Sequence, residues 1–166
     1  MESNGYPRSM SQQISIKLSE HFRLHEFTRS EYAARNGIDM TPPASVIGNL
    51  ANLCGEVLEP LRASLGPLYI SSGFRPQAVN LAIGGAPNSD HLRGMAADFI
   101  ALDHPIEHTA KIVRGLASSL PVAKIIYEYG QWIHVSLAPN ISVPARSLLV
   151  ASRESGQTVY TPWSAA

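Results

Sequence analysis

The chain has 166 residues, 45 % of them hydrophobic and 16 % charged, and its 13 basic and 13 acidic side chains leave no formal net charge. This length and composition support one globular domain with a real core and exclude a disordered chain. The missing basic surplus argues against a nucleic-acid partner, and no apolar run approaches the roughly 20 residues of a membrane span.

Residues 1–18 read as a polar, flexible arm that becomes ordered near Ile14. The opening 13 residues lack the charged start and apolar run of a signal peptide, so synthesis in the cytoplasm without an export signal is expected. Residues 25–36 carry a helical pattern that Thr28 or Ser30 can cap, with Glu31 in the first turn and Gly37 as the stop. Thr41-Pro42-Pro43 then breaks the chain and starts a long amphipathic helix to about residue 64. Its buried stripe runs through Val46, Ile47, Leu50, Leu53, Cys54, Val57, Leu58 and Leu61. Pro60 is expected to kink that helix or split off its last turn. Cys54 is the only cysteine, which excludes an intramolecular disulfide, and it reads as a small buried hydrophobe.

Residues 68–72 read as a strand ending at Gly73, 76–83 as a short helix, 84–88 as a loop and 95–102 as a strand. Residues 106–120 form a second amphipathic helix, with Ile112, Val113, Leu116 and Leu120 inward. Residues 122–129 and 132–137 are two strands separated by a turn at Gly130-Gln131. After Arg146 a strand at 148–150 leads into a loose tail. Helices first and hairpin-linked strands later favour an α+β fold. The expected organisation is an arm over residues 1–18, a domain over 19–150 and a tail over 151–166.

Three stretches carry polar groups that structural strands do not need: residues 71–80, 89–99 and 128–137. Asp98 interrupts the apolar strand Ala96-Ala97-Asp98-Phe99-Ile100. A buried carboxylate needs a cation, a donor network or a metal. In Trp132-Ile133-His134-Val135-Ser136-Leu137 the alternation puts Ile, Val and Leu on the core face and His134 on the other. His91, Asp98 and His134 together make the donor set of a catalytic zinc site, three protein ligands with a fourth position open. Spacing alone leaves the bland reading open: a hydrogen-bonded strand histidine and a turn-capping aspartate.

The run Ser89-Asp90-His91-Leu92-Arg93-Gly94-Met95-Ala96-Ala97-Asp98 closely resembles the S-x-H-x-x-G-x-A-x-D signature of the zinc D-alanyl-D-alanine carboxypeptidase family, which includes phage L-alanyl-D-glutamate endopeptidases. Ser72-Gly73-Phe74-Arg75 resembles the family's S-G-Y-R segment, and Trp132-Ile133-His134-Val135 its late W-x-H-V strand. Residues 22–28 and 58–62 look like the phage and prophage branch. The resemblance covers roughly residues 20 to 138.

The resemblance implies a small, mostly antiparallel sheet of the hedgehog and D-Ala-D-Ala peptidase type, with helices packed on one side and zinc on the exposed face. It makes His91, Asp98 and His134 the zinc ligands. Arg75 becomes the arginine that stabilises the oxyanion, the alternative being a loop clamp. Ser89 becomes a substrate contact or a brace, the alternative being a turn-capping hydroxyl. Trp132 either lines a substrate groove or packs in its strand, and Tyr129 reads as packing. Many family members place an acid three residues before the last zinc histidine, where this chain has Gln131. The base is therefore assigned to Glu128, which the phage branch also carries. A three-residue loop over 129–131 is expected, because only an odd loop puts Glu128 on the face of His134. His104 and His108 read as a solvated helix start.

The implied activity is zinc-dependent hydrolysis of peptidoglycan stem peptides in a phage or prophage setting, acting at the cell wall or as a virion-associated module. The residues leave carboxypeptidase and endopeptidase action both open, with a monomer expected. The rival is a zinc-binding structural or recognition module of the same fold that does not hydrolyse.

Overall fold

A computed structural model describes residues 16–138 and 147–164. The expected arm lies outside the described residues as far as residue 15, Ile14 included. Helix α1 (Leu24–Phe27) and helix α2 (Glu31–Asn36) stand where one helix was expected. The capping residue causes the break: Ser30 is extended, and its hydroxyl accepts the Ala33 N–H at 3.2 Å. Gly37 ends α2 at φ 63°.

The long helix is three consecutive segments, α3 (Ala44–Leu53), a π-helical turn (Cys54–Leu58) and α4 (Glu59–Leu65). Pro60 explains the wide turn. Its ring crowds the carbonyl four residues back and it has no N–H to offer. The preceding turn opens, and Glu59 N–H bonds the carbonyl of Cys54 five residues back. Pro60 therefore sits inside a continuing helix and does not split off its end.

Strand β1 (Leu68–Ser72) and helix α5 (Gln77–Ala82) follow, then a 3₁₀ turn (Asp90–Arg93) and strand β2 (Ala96–Ala101). Helix α6 (Ile106–Leu116) ends in a 3₁₀ turn, so it is shorter than expected. Strands β3 (Val122–Glu128) and β4 (Trp132–Leu137) form a hairpin. The segment expected to trail off is a second hairpin, β5 (Ser147–Glu154) and β6 (Gln157–Pro162). Its turn is Ser155-Gly156, with both φ values positive at 49° and 81°, as the favoured two-residue hairpin turns require.

The six strands form one sheet in the order β1-β2-β4-β3-β5-β6. Every neighbouring pair is antiparallel except β3 and β5, which run parallel. The fold is α+β with a mixed sheet. Leu50, Leu53, Leu58, Leu61 and Val113 of the helices share one buried cluster with Ala97, Phe99, Ile125, Ile133 and Val135 of the strands. The helices thus cover one face, and alternation sends Asp98 and His134 to the other. One cross-strand row traverses the whole sheet on that second face: Ser72, Asp98, His134, Ile126, Leu149, Pro162. No helix is long and apolar enough to cross a membrane among the described residues.

Glu59 ties the segment before α1 to the helical layer. One oxygen accepts the Ser19 hydroxyl at 2.6 Å and His21 N–H at 2.7 Å, and the other faces His21 Nδ1 at 2.8 Å. Partial burial opposes ionisation of Glu59, but these donors outweigh it and hold the carboxyl below the usual glutamate range. A depressed folded-state pKa contributes stability above the unfolded value, and that stability is lost as pH falls through the folded one. Glu59→Gln is therefore expected to cost about 1–2 kcal/mol at pH 7. In urea titrations the gap from the parent should close as the pH drops below the ordinary glutamate pKa; a gap independent of pH would refute the ionic origin.

Candidate metal centre

His91 sits on the 3₁₀ turn between α5 and β2 and is 1 % exposed. The Ser89 hydroxyl accepts its backbone N–H at 3.4 Å and caps the turn, the contact that the turn-capping alternative for Ser89 describes. Gly94 ends the turn in the left-handed region at φ 67°, where a Cβ would lie 2.7 Å from Val46 Cγ1. Any larger residue would lift the turn off α3. On the other side the His91 ring nitrogen Nδ1 donates to the carbonyl of Gly73 at 2.7 Å. Gly73 itself allows this approach, because a Cβ there would meet the Phe27 backbone at 2.6 Å.

With Nδ1–H committed to a carbonyl, Nε2 carries the lone pair. Nε2 is buried, has no hydrogen bond among the described residues, and lies 3.3 Å from Asp98 Oδ1. Burial pushes the His91 pKa below the ordinary histidine value, and the pull of Asp98 does not restore it. A neutral imidazole thus presents a lone pair to a carboxylate oxygen, an arrangement that only a cation between them makes favourable.

Asp98 and His134 face each other across the β2–β4 ladder. His134 Nδ1 lies 2.8 Å from the same Asp98 Oδ1, and the two imidazole rings are 5.1 Å apart, centre to centre. Burial opposes ionisation of Asp98, but the two imidazoles beside it, with His134 Nδ1 at hydrogen-bond distance, outweigh that and hold the carboxyl well below the usual range. One donor atom from each of the three residues lies within 4.8 Å of the others. A tetrahedral ion with zinc-type bonds holds its ligands roughly 3.4 Å apart, and the 3.3 Å separation is close to that value while the 2.8 Å one lies below it. The residues fit a zinc ion, with the orphaned Nε2 as the clearest sign. The expected exposed face is in fact a sheltered floor, since His134 is only 8 % exposed.

The three side chains open onto a cleft of about 670 Å³ that also takes in Arg75, Ser89, Glu128 and Trp132. The β3–β4 connection has three residues, 129–131, and Glu128 pairs with Trp132. The turn therefore starts one residue before Gly130. Tyr129 and Gly130 both have positive φ, 54° and 67°, and Gln131 N–H returns to the carbonyl of Glu128 at 2.9 Å. This odd loop puts Glu128 on the cleft face, one step along the sheet from His134. Burial raises its pKa, Asp98 adds to the rise, and His134 and Arg75 only partly offset it. Gln131 is exposed outside the cleft lining. Arg75 is half-buried in the cleft, with Nε lacking a partner among the described residues, and stays cationic although burial lowers its pKa.

Sequence reasoning missed the wall beyond Glu128, where Tyr129, Arg153, Thr158 and Tyr160 join the lining. Tyr129, read as packing, does pack edge-on against Trp132, but it also lines the cleft. A signal for this wall existed in Ser155-Gly156 between two β-type runs, a hairpin dipeptide. His104 and His108 lie close together at 4.8 Å between ring centres, away from this cluster.

Metal binding here is expected to stabilise the fold measurably. Zinc at 1,000 times its dissociation constant adds about 4 kcal/mol, so the thermal midpoint should rise clearly on zinc addition. Asp98→Ala and His134→Ala should each abolish that rise in a calorimetric scan. An equal rise in all three proteins would place the ion elsewhere.

The family model described as Peptidase M15 matches residues 20–136. No curated protein matches the chain. The match spans most of the chain and ends within β4, so it contains all three metal-ligand candidates and leaves the β5–β6 hairpin outside. The chain belongs to the peptidase M15 family and is a zinc-dependent metallopeptidase.

Proposed function

We propose that the enzyme hydrolyses amide bonds in peptidoglycan stem peptides, by D-Ala-D-Ala carboxypeptidase or L-Ala-D-Glu endopeptidase action, and that it acts at the bacterial cell wall in a phage or prophage setting. The substrate and the setting rest on the resemblance of the three motifs and of residues 22–28 and 58–62. The observation that carries the catalytic assignment is Glu128, a partly buried carboxylate with a raised pKa on the cleft face beside His134.

Zinc held by His91, Asp98 and His134 supplies Lewis acidity and acidifies water at the site. Glu128 accepts the proton of the attacking water. Its raised pKa then suits it to give that proton to the leaving amine, since a base poised nearer neutrality serves both directions. The Arg75 guanidinium donates to the former carbonyl oxygen as negative charge develops there. The Gly73 carbonyl keeps His91 in one tautomer and orientation through both steps. Ser89 and Trp132 contact the peptide, and the buried indole N–H of Trp132, without a partner among the described residues, offers it a donor.

Glu128→Gln should keep zinc affinity and thermal stability while lowering kcat on purified peptidoglycan by about 10²–10⁴-fold. Full lytic activity in both Glu128→Gln and Glu128→Ala would remove Glu128 as the base. Arg75→Lys is expected to lower kcat by about 10²–10³-fold with a smaller effect on KM. Mass spectrometry of the released fragments then identifies the bond cut.

A further inference from the structure

The β5–β6 hairpin lies outside the segment matched by the family model, yet it completes the cleft. Register explains how. Glu128 pairs with Trp132 on one side and with Ala151 on the other, and Ala151 pairs with Tyr160. Trp132, Glu128, Ala151 and Tyr160 therefore form one row on the cleft face. Ala151 is buried beneath its neighbours, and Glu128 and Tyr160 on either side of it line the cleft. Arg153 stands two residues further along β5, opposite Thr158 and on the same face.

Arg153 is held where it can act. Its guanidinium lies over the ring of Tyr129, 5.3 Å from the centre. Tyr129 is fixed in turn: its hydroxyl bonds Thr158 Oγ1 at 2.8 Å, its N–H donates to the carbonyl of Ala151 at 3.0 Å, and its ring packs edge-on against Trp132. Tyr129 does this from a left-handed backbone, φ 54°, which costs a non-glycine residue free energy and persists only where surrounding contacts impose it. Arg153 has no ion pair among the described residues. A preorganised, uncompensated guanidinium at the end of a cleft is a carboxylate receptor by its fork geometry.

We propose that Arg153, seated on Tyr129 at the hairpin end of the cleft, recognises a carboxylate of the peptide substrate and selects acidic over amidated substrates. The contact deepens the peptidase reading and rests on it. Arg153 lies four residues along β5 from the row of His134 and two strands across from β4, roughly 16 Å in all, which is two to four residues of extended peptide from the bond cut once the reach of the side chain is counted. Lys124 also lines the cleft, but two residues from Ile126 in the opposite direction along β3, so the two cations address opposite ends of a bound peptide.

The test uses the zinc-loaded full chain and two probes, L-alanyl-γ-D-glutamyl-L-lysyl-D-alanyl-D-alanine with both carboxylates free and the same peptide with both converted to carboxamides. The parent should favour the acid form by about tenfold in kcat/KM, carried by KM. Arg153→Met should bring that ratio to about one, and Arg153→Lys should restore most of it. A preference that survives in Arg153→Met, or that is lost in Lys124→Met instead, overturns the proposal. Cleavage of neither peptide by the parent counts against the peptidase reading alone, and calorimetric binding of the two probes then decides on Arg153. Tighter binding of the acid form by the parent with equal binding by Arg153→Met sustains the proposal, and equal binding by the parent overturns it.

Discussion

One carboxylate oxygen shared between two imidazoles organises this molecule. Asp98 Oδ1 lies within 3.3 Å of both His91 Nε2 and His134 Nδ1, on a floor that admits little solvent. Such a cluster is costly without a cation, because a lone pair and an ionised carboxylate face each other in a poorly screened space. The divalent ion that the family uses resolves that conflict. The ligand geometry, the depressed Asp98 pKa and the neutral state of His91 are consequences of the same arrangement.

The scaffold holds this arrangement by packing, not by loops. Asp98 and His134 are paired residues of adjacent central strands, and the opposite face of those strands is buried under α3, α4 and α6. His91 comes from a turn, but the turn is clamped. Gly94 presses against Val46, Gly73 presses against Phe27, and the Gly73 carbonyl holds the ring. The helical layer thus supports the metal centre from behind, with α1 and α3 setting the height of the two backbone segments that carry or orient His91. The wide turn before Pro60 keeps α3 and α4 helical on either side of it, so the core stripe from Leu50 to Leu65 remains available to the sheet.

The chemistry of the cleft is graded along the sheet. At the metal row the groups are anionic and neutral donors for a cation. One step along lies Glu128, whose carboxyl is destabilised as an anion by burial and by Asp98. Arg75 faces both acids from the β1 side. Beyond Glu128 the wall changes character to aromatic and cationic groups from the last hairpin. The family match stops inside β4, so it takes in the metal row and Glu128 and leaves the far wall outside.

The α+β class, the core stripe of the long helix, the strands carrying Asp98 and His134, and the identity of the three ligand residues were legible in the sequence. The first three follow from local periodicity, and the ligand residues from the resemblance of the three motifs, since spacing alone left a hydrogen-bonded histidine and a turn-capping aspartate open. The odd β3–β4 loop followed from requiring Glu128 and His134 on one face. The break at Ser30 and the π turn before Pro60 were less legible, since each trades one local hydrogen bond for another of similar worth. The parallel pairing of β3 with β5 and the final hairpin were decided only in three dimensions. A short strand has little stability alone, and residues 147–162 become strands because β3 offers them an open edge. The same is true of the clamp on His91. No spacing in the chain shows that Gly73 and Gly94 stand where Phe27 and Val46 leave no room for a side chain, because that is a property of packed surfaces far apart in sequence.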